Sequence, residues 1–591
     1  MSTLLWVLVG ILLYTSLAMA LKARGLLPSS FKVSGPILTI HTKRGREFLD
    51  WLATPKRLWR AWGNFGVGIA IVIMVGSFLA VITSAYGAIT QPQLTTFVRP
   101  QDALVIPGVN QFLPWDAAVD IVIGLVVGLV VHEGGHGLLC RVENIKIESM
   151  GIALFALIPL GAFVQPDEES QRDADRGGKT RMFAAGVTNN FLVTAITFAL
   201  MFLLVGSLVT VVSGVAIGGV FPGSAAEDAG LERGDVLTAV DGQSVGDHDE
   251  FAAALEDADR EVTVDRRDGD PVTVERSLLA ARAIRGGPIE QGTAIHAVDG
   301  TEVFTRSAFE EAVSGAEVIE LETDAHDDPV SRPVGAFAST TAGEGPMHDA
   351  GVPDRPMLIH SVDGEPTPTT AALIDVLDEA TPGDTVEVVV YVDEDGDPWD
   401  GERRTFDVTL DEHPDRDGAR IGVGGLQEGV SGIVVDDFGV DPYPADQYHA
   451  LLGGSGFGDE PVTTFVQRTF AVLILPFASA IDPSLGYNFA GFNSDVTNFF
   501  EVEGPIAAGV VFALINALFW TGWVNLNLGF FNCIPSYPLD GGHILRSCVE
   551  ATFSRLPFDV SQNLVGAVTT AISLTMILSI LGLLFVPMLI G

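Results

Sequence analysis

IVIGLVVGLVVHEGGH, residues 121–136, is an uncharged apolar run that ends in His132-Glu133-Gly134-Gly135-His136. Apolar residues leading into two histidines four apart predict a helix with both imidazoles on one face. The pair can then reach one ion with Glu133 beside it, and two neutral imidazoles suit zinc. A glutamate within an apolar span costs roughly 3 kcal/mol or more unless it is paired. Beside a divalent cation that cost is offset, and the carboxylate can serve as base toward a bound water. The blander reading is a pair of satisfied interior histidines that pack helices.

The rest of the chain gives that run its setting. Its 591 residues are 48% hydrophobic and 18% charged, yet carry 75 acidic against 33 basic residues, a net charge of −42. Mean hydropathy is +0.36. Apolar content and acidity conflict in a uniform chain, and fit long membrane spans beside a very acidic water-facing part. With about 20 apolar residues sufficient to cross a bilayer, six spans are expected: Leu4 to Leu21, Phe65 to Ile89, Ala117 to Cys140, Phe183 to Val212, Pro505 to Phe531 and Leu564 to Ile590. Thr464 to Ile481, interrupted by Arg468 and Pro476, reads as interfacial. The three cysteines, Cys140, Cys533 and Cys548, lie in or beside apolar segments and make no disulfide framework. No basic domain exists, so nucleic acid is not an expected partner. Lysine stops at Lys179. Acidic excess with so little lysine is the surface of a protein kept hydrated in concentrated salt, where repulsion is screened within ~3 Å at 1 M, so a halophilic source is expected.

Basic residues cluster in the loop after the first span (Lys43, Arg44, Arg46, Lys56, Arg57, Arg60) and after the third (Arg141, Lys146, Arg172, Arg176, Lys179, Arg181). Both loops are expected inside, which places the acidic middle, roughly 214–460, outside a multi-pass cell-membrane protein. That middle repeats itself: Val240-Asp241-Gly242, Val298-Asp299-Gly300 and Val362-Asp363-Gly364 each follow a short apolar run. The first copy is fullest, with Pro222-Gly223-Ser224-Ala225-Ala226, Ala229-Gly230-Leu231 and Gly234-Asp235-Val236-Leu237. It resembles a PDZ domain of the bacterial protease-associated type, which takes an extended peptide by strand addition. The middle copy looks truncated. Asp-Gly as a simple hairpin turn explains each dipeptide but not the shared flanks.

Two ligands do not make a catalytic zinc site, which generally takes three from the protein and keeps one position open. Asn532-Cys533-Ile534-Pro535-Ser536-Tyr537-Pro538-Leu539-Asp540-Gly541-Gly542 breaks a helix at membrane depth, which lipid tolerates only where backbone lines a polar cavity or is buried in protein. Asp540 there is a ligand candidate. Taken together, the histidine motif within a span, the Leu-Asp-Gly stretch and PDZ-like modules between the two halves resemble the site-2 protease family of intramembrane zinc metalloproteases. Ile158-Pro159-Leu160-Gly161-Ala162-Phe163-Val164 resembles that family's re-entrant β-segment. Ala185-Gly186-Val187-Thr188-Asn189-Asn190 resembles its Ala-Gly-Pro-x-x-Asn, with Val187 in place of proline.

The resemblance implies a polytopic α-helical membrane protein with inserted α+β PDZ-like domains. The expected division is an N-terminal span and basic loop (1–62), the first half of the core (63–213), PDZ-like repeats (214–283, 284–340, 341–430), a connector (431–504) and the second half of the core (505–591). It implies that His132, His136 and Asp540 hold Zn²⁺, that Glu133 is the general base, and that Asn190 and Asn532 orient substrate backbone or the oxyanion. A helical substrate must unwind before attack, and the segment Gly151 to Val164 can accept it by strand addition. The implied partner is a single-pass membrane protein, intact or already shortened by another protease, with peptide ends docking in the PDZ-like grooves. Cys140 and His543 are weaker candidates near the metal. Rival functions are a membrane HExxH protease with a downstream glutamate ligand, and a non-catalytic PDZ receptor with a vestigial metal site.

Overall fold

The structure, a computed structural model, describes residues 3–28, 30–90, 105–110, 113–155, 158–256, 258–284, 287–341, 343, 345–393, 397–414, 418–454, 461–481, 486–557 and 561–590. It divides into two compact units: residues 1–211 with 446–591, and residues 212–445.

Among the described residues of the first unit, five helices are long and apolar enough to cross a membrane: Lys56–Gly87, Trp115–Val142, Arg176–Leu208, Ala508–Cys533 and Gln562–Val586. The sixth expected span, Leu4 to Leu21, lies in the helix Thr3–Ala23, of which only Val9–Ala23 is described at side-chain level. Ala508–Cys533 is the hub, since 67% of its apolar window is buried against 17 to 33% in the other four. Small residues set this packing, because lipid tails leave close van der Waals fit as the main attraction between spans. A Cβ at Gly124 would lie 2.6 Å from the Trp520 carbonyl oxygen, and one at Gly522 would lie 2.3 Å from the Phe198 ring.

One expected span is shorter than its apolar run. The helix of Phe183 to Val212 ends at Leu208, because Val209–Val211 pairs antiparallel with Phe500–Val502. A run of β-branched residues prefers that ladder to another helical turn. The Thr464 to Ile481 segment forms the helix Pro461–Ile474, a short 3₁₀ turn, Leu475–Phe477, and a last helical turn, Ala478–Ile481. Its apolar helix is shorter than the five long enough to span. Val462, Val466, Phe470 and Ile474 form an exposed apolar stripe at four-residue spacing, while Arg468 turns back to the Gly454 carbonyl at 2.7 Å.

Beside the helices lies a four-stranded antiparallel sheet: β1 (Phe31–Ser34), β2 (Ile37–His41), β3 (Ile147–Phe155) and β4 (Ile158–Pro166), in that order. The hairpin β3–β4 covers the resembled re-entrant segment, apart from residues 156–157, which lie outside the described residues. No strand pairs with the outer edge of β4 among the described residues.

The second unit holds three modules with one plan: strand, tight Asp-Gly turn, short strand, helix, then two antiparallel strands. In turn they run through Val236–Val240 and His248–Glu256, Ile295–Val298 and Arg306–Val313, and Met357–Val362 and Thr370–Glu379. The turn residues Asp241, Asp299 and Asp363 have φ of +47°, +49° and +51°, followed by Gly242, Gly300 and Gly364 at +81°, +73° and +82°. Two consecutive left-handed residues make the hairpin turn that Asp-Gly suits. Asp241 and Asp299 also accept the backbone N–H of Thr263 and Glu320, each at 2.8 Å. The first and third modules add a short helix, Ala225–Asp228 and Pro346–Asp349; the middle one has none there among the described residues.

The modules are nested. On its way back the chain pairs Val423–Gly424 with Thr340–Thr341, then Val434–Asp436 with Leu279–Arg282, then Val440–Pro442 with Val215–Val220. Strands from the expected connector thus pair with Leu279–Arg282 and Val215–Val220, both within the expected first repeat, 214–283.

Asp436 sits where this return path turns. Its Oδ1 accepts the N–H of Phe438 at 3.0 Å and that of Gly439. Burial pushes its carboxyl above the ordinary range; the two donated N–H groups and Arg306 oppose that rise, and Asp437 adds to it. A raised folded-state pKa means that ionisation at neutral pH costs stability, and the cost vanishes as pH falls below the unfolded carboxylate's value. Asp436→Asn keeps the acceptor without the charge. Its thermal midpoint for this unit is expected to rise by about 2–4 °C at pH 7, equivalent to ~1 kcal/mol, with the gain shrinking toward pH 4. Unfolding followed in the full chain at both pH values checks this, and an equal gain at both contradicts it.

Candidate metal centre

The histidine run folds as the helix Ala118–Val142, and its four-residue spacing puts His132 and His136 on one side. The helix Ala508–Cys533 stops before Pro535, and the chain resumes as the helix Asp540–Phe553, with Asp540 as its first residue. That break delivers the carboxylate to the imidazoles. His132 Nε2 lies 3.2 Å and His136 Nε2 3.1 Å from Asp540 Oδ2, and the two Nε2 atoms are 3.1 Å apart. Ligand bonds of ~2.0–2.1 Å in a tetrahedron put neighbouring donors ~3.3 Å apart, so this triangle is nearly one tetrahedral face. Asp540 Oδ2 is buried and takes no aligned hydrogen bond. A divalent cation at the triangle would satisfy all three atoms, so the residues fit one. Among the described residues no other group of three such side chains has this geometry.

The surroundings orient the imidazoles. His136 Nδ1 lies 2.8 Å from the Met182 carbonyl, so Nδ1–H donates there and Nε2 keeps its lone pair for the triangle. Asn190, fully buried, places its carboxamide Nδ2 3.4 Å from His132 Nδ1, while its Oδ1 has no partner. A half-turn of the carboxamide exchanges the two atoms within one outline. Oδ1 then accepts from Nδ1–H, and His132 Nε2 is freed in the same way. The helix Arg176–Leu208 supplies both Met182 and Asn190 and comes close enough only because Gly186 lies between them. A Cβ there would stand 2.7 Å from His136 Nε2 and 2.8 Å from His132 Cε1.

Glu133 points to the sheet. Its Oε2 accepts the backbone N–H of Val164, in β4, at 2.8 Å. The far end of the histidine helix is fixed by Glu143, whose Oε1 pairs with Arg181 at 2.9 Å and Arg60 at 3.3 Å.

Of the expected site residues, His132, His136 and Asp540 are brought together, Glu133 stands next to them in the helix, and Asn190 touches His132. Asn532 donates instead to the Leu528 carbonyl of its own helix at 3.0 Å, and no contact with the three ligand groups is seen among the described residues. His543 stacks on Phe183, centroids 4.2 Å apart, and Cys140 is packed in an apolar cluster. The Met182 carbonyl, the Val164 N–H and the steric part of Gly186 carried no signal of their own in sequence.

Gly186→Ala isolates the geometry, because alanine is favourable in a helix while its methyl must displace an imidazole. Affinity for a divalent metal at the triangle is expected to fall ~10–100-fold with helix content unchanged, as read by metal analysis and circular dichroism of the purified protein. Wild-type affinity in this variant contradicts the packing described.

The sequence profile of Peptidase family M50 matches residues 120–576. An uncharacterized protein of Methanocaldococcus jannaschii is 27% identical over 167 residues, 28% of this chain and 43% of that protein. A Thermotoga maritima protein provisionally named a zinc metalloprotease is 32% identical over 136 residues, 19% of this chain and 27% of that protein. The chain thus matches less than half the length of either relative. The family match is far longer, running from the histidine helix into the last span and enclosing all three ligand groups, and by it this chain belongs to Peptidase family M50, the site-2 protease family of metallopeptidases.

Proposed function

We propose that this chain is an intramembrane zinc metalloprotease that cleaves peptide bonds in or near the transmembrane segments of membrane-anchored proteins. The observation that carries the reading is the His132–His136–Asp540 triangle, with Glu133 next to it and bonded to a strand edge. Zn²⁺, when bound, would supply a Lewis acid that acidifies the attacking water. His132, His136 and Asp540 would hold it, and Asn190 and the Met182 carbonyl keep both Nε2 atoms turned to the triangle. Glu133 takes the water proton and returns it to the leaving amine.

The outer edge of β4 favours an extended substrate. Val164 N–H already points out of the sheet at Glu133, so a peptide added along that edge lies beside the base. Strand addition also meets the need to unwind a helical span, since it replaces the helical hydrogen bonds that unwinding removes. The nested modules act on this reading as extracytoplasmic PDZ-like docks or a size filter for substrates already cut by another protease, and the acidic surface suits concentrated salt. Asn532 has less support as an oxyanion group, given its bond to Leu528.

Separate Glu133→Gln and Asp540→Asn variants, tested with a single-span substrate and by metal analysis, distinguish an enzyme from a receptor with a vestigial site. Glu133→Gln is expected to retain zinc and lose ~10²–10⁴-fold in cleavage, and Asp540→Asn to lose both. Unchanged cleavage in Glu133→Gln would refute the base.

A further inference from the structure

The far end of the histidine helix borders a second site. A cavity of about 310 Å³ is lined by Asp50, Thr54, Lys56, Arg141, Asn144 and Lys146 among others. Lys56 opens the span Lys56–Gly87 and Arg141 lies one residue before the end of the span Trp115–Val142. The cavity therefore sits where two spans leave the bilayer on the same side. Next to it, the helix Arg44–Leu52 buries Leu49 and exposes Phe48 and Trp51, 57% and 69% accessible, with ring centroids 5.8 Å apart. Aromatic side chains exposed at a span end are the usual anchors of the headgroup region.

The cavity's charge is positive in a chain that is otherwise strongly negative. Asp50 is taken up by Arg141, at 2.7 Å through Nε and 2.8 Å through Nη2. Lys56 Nζ spends one of its three donors on Asn144 Oδ1, at 2.7 Å. Lys146 is exposed at the rim. Three cations thus face one carboxylate in the cavity wall. Lysine occurs at only six positions of the whole chain, and two of them are here.

We propose that this cavity binds a phosphate group, and that its source is the headgroup of an anionic phospholipid whose acyl chains run beside Phe48 and Trp51. Basic pockets between spans at the membrane surface recognise such headgroups. The exposed aromatic pair favours a lipid over a soluble phosphate, which would have no use for it. A bound headgroup bridges the interfacial helix, the first residue of one span and the end of the histidine helix, whose chain continues directly into β3. The inference needs the membrane setting but not the protease reading.

The test uses full-length protein in detergent with short-chain phosphatidylglycerol, phosphatidylcholine or inorganic phosphate, read by thermal shift and native mass spectrometry. Phosphatidylglycerol is expected to bind and stabilise, phosphatidylcholine to bind at least ~10-fold more weakly, and Lys56→Gln/Lys146→Gln to remove about that factor. Lys22→Gln/Lys32→Gln, which removes the same charge elsewhere, should leave binding unchanged. Circular dichroism and zinc content of both double variants report on folding. Equal weakening by the two double variants would show diffuse charge and overturn the site. Stabilisation by inorganic phosphate as strong as by phosphatidylglycerol would overturn the lipid assignment. No preference between the two lipids, both of which carry a phosphodiester, would overturn the anionic headgroup.

Discussion

Two imidazole nitrogens and a carboxylate oxygen held 3.1–3.2 Å apart inside an apolar bundle are the constraint on which the membrane unit is built. Electron pairs at that separation repel, and burial withholds the water that would screen them. A shared cation removes the conflict. Much of the surrounding packing can be understood as keeping the three atoms there: the Met182 carbonyl and Asn190 on the outer ring nitrogens, Gly186 between the histidines, and the helix break that ends at Asp540. Met182, Gly186 and Asn190 come from one helix, and the break from the two helices that flank it.

The same economy of space explains where sequence reading succeeds. Chemistry compressed into a few neighbouring residues is visible without a fold: His132-Glu133-Gly134-Gly135-His136, the proline-glycine break before Asp540, and the three Asp-Gly turns whose left-handed φ values require those residue types. Contacts made by backbone atoms are not visible, because any residue at position 182 or 164 offers the same carbonyl or N–H. The return strands of the second unit are hidden for a related reason. Val434–Asp436 is three residues long, and its partner Leu279–Arg282 lies more than 150 residues earlier, so no local periodicity announces the pairing. Val209–Val211 was hidden differently: its hydropathy continues the span, and only the ladder to Phe500–Val502 decides against helix.

Asn190 shows how one residue can carry more than one reading. Its motif singles it out for substrate binding or oxyanion stabilisation, and both are open to a carboxamide. Complete burial and the approach to His132 Nδ1 favour an orienting part instead. A group with one face committed to a ligand histidine has little left to offer a substrate.

Glu133 has the opposite geometry, and its position ties the two halves of the proposed chemistry together. One helical turn fixes it relative to His132 and His136, while its carboxylate is held by a backbone N–H of β4. The base is thereby indexed to the sheet as well as to the ligand triangle. A peptide that extends along β4 is measured from the same strand that positions the base, so strand register sets which bond comes within reach. Sequence preference at the cut then need not be strong, because alignment comes from main-chain pairing, which is the same for every side chain. On the proposed reading, a substrate must become extended at this depth, and helix-weakening residues near the cut would meet that demand better than any particular side-chain contact.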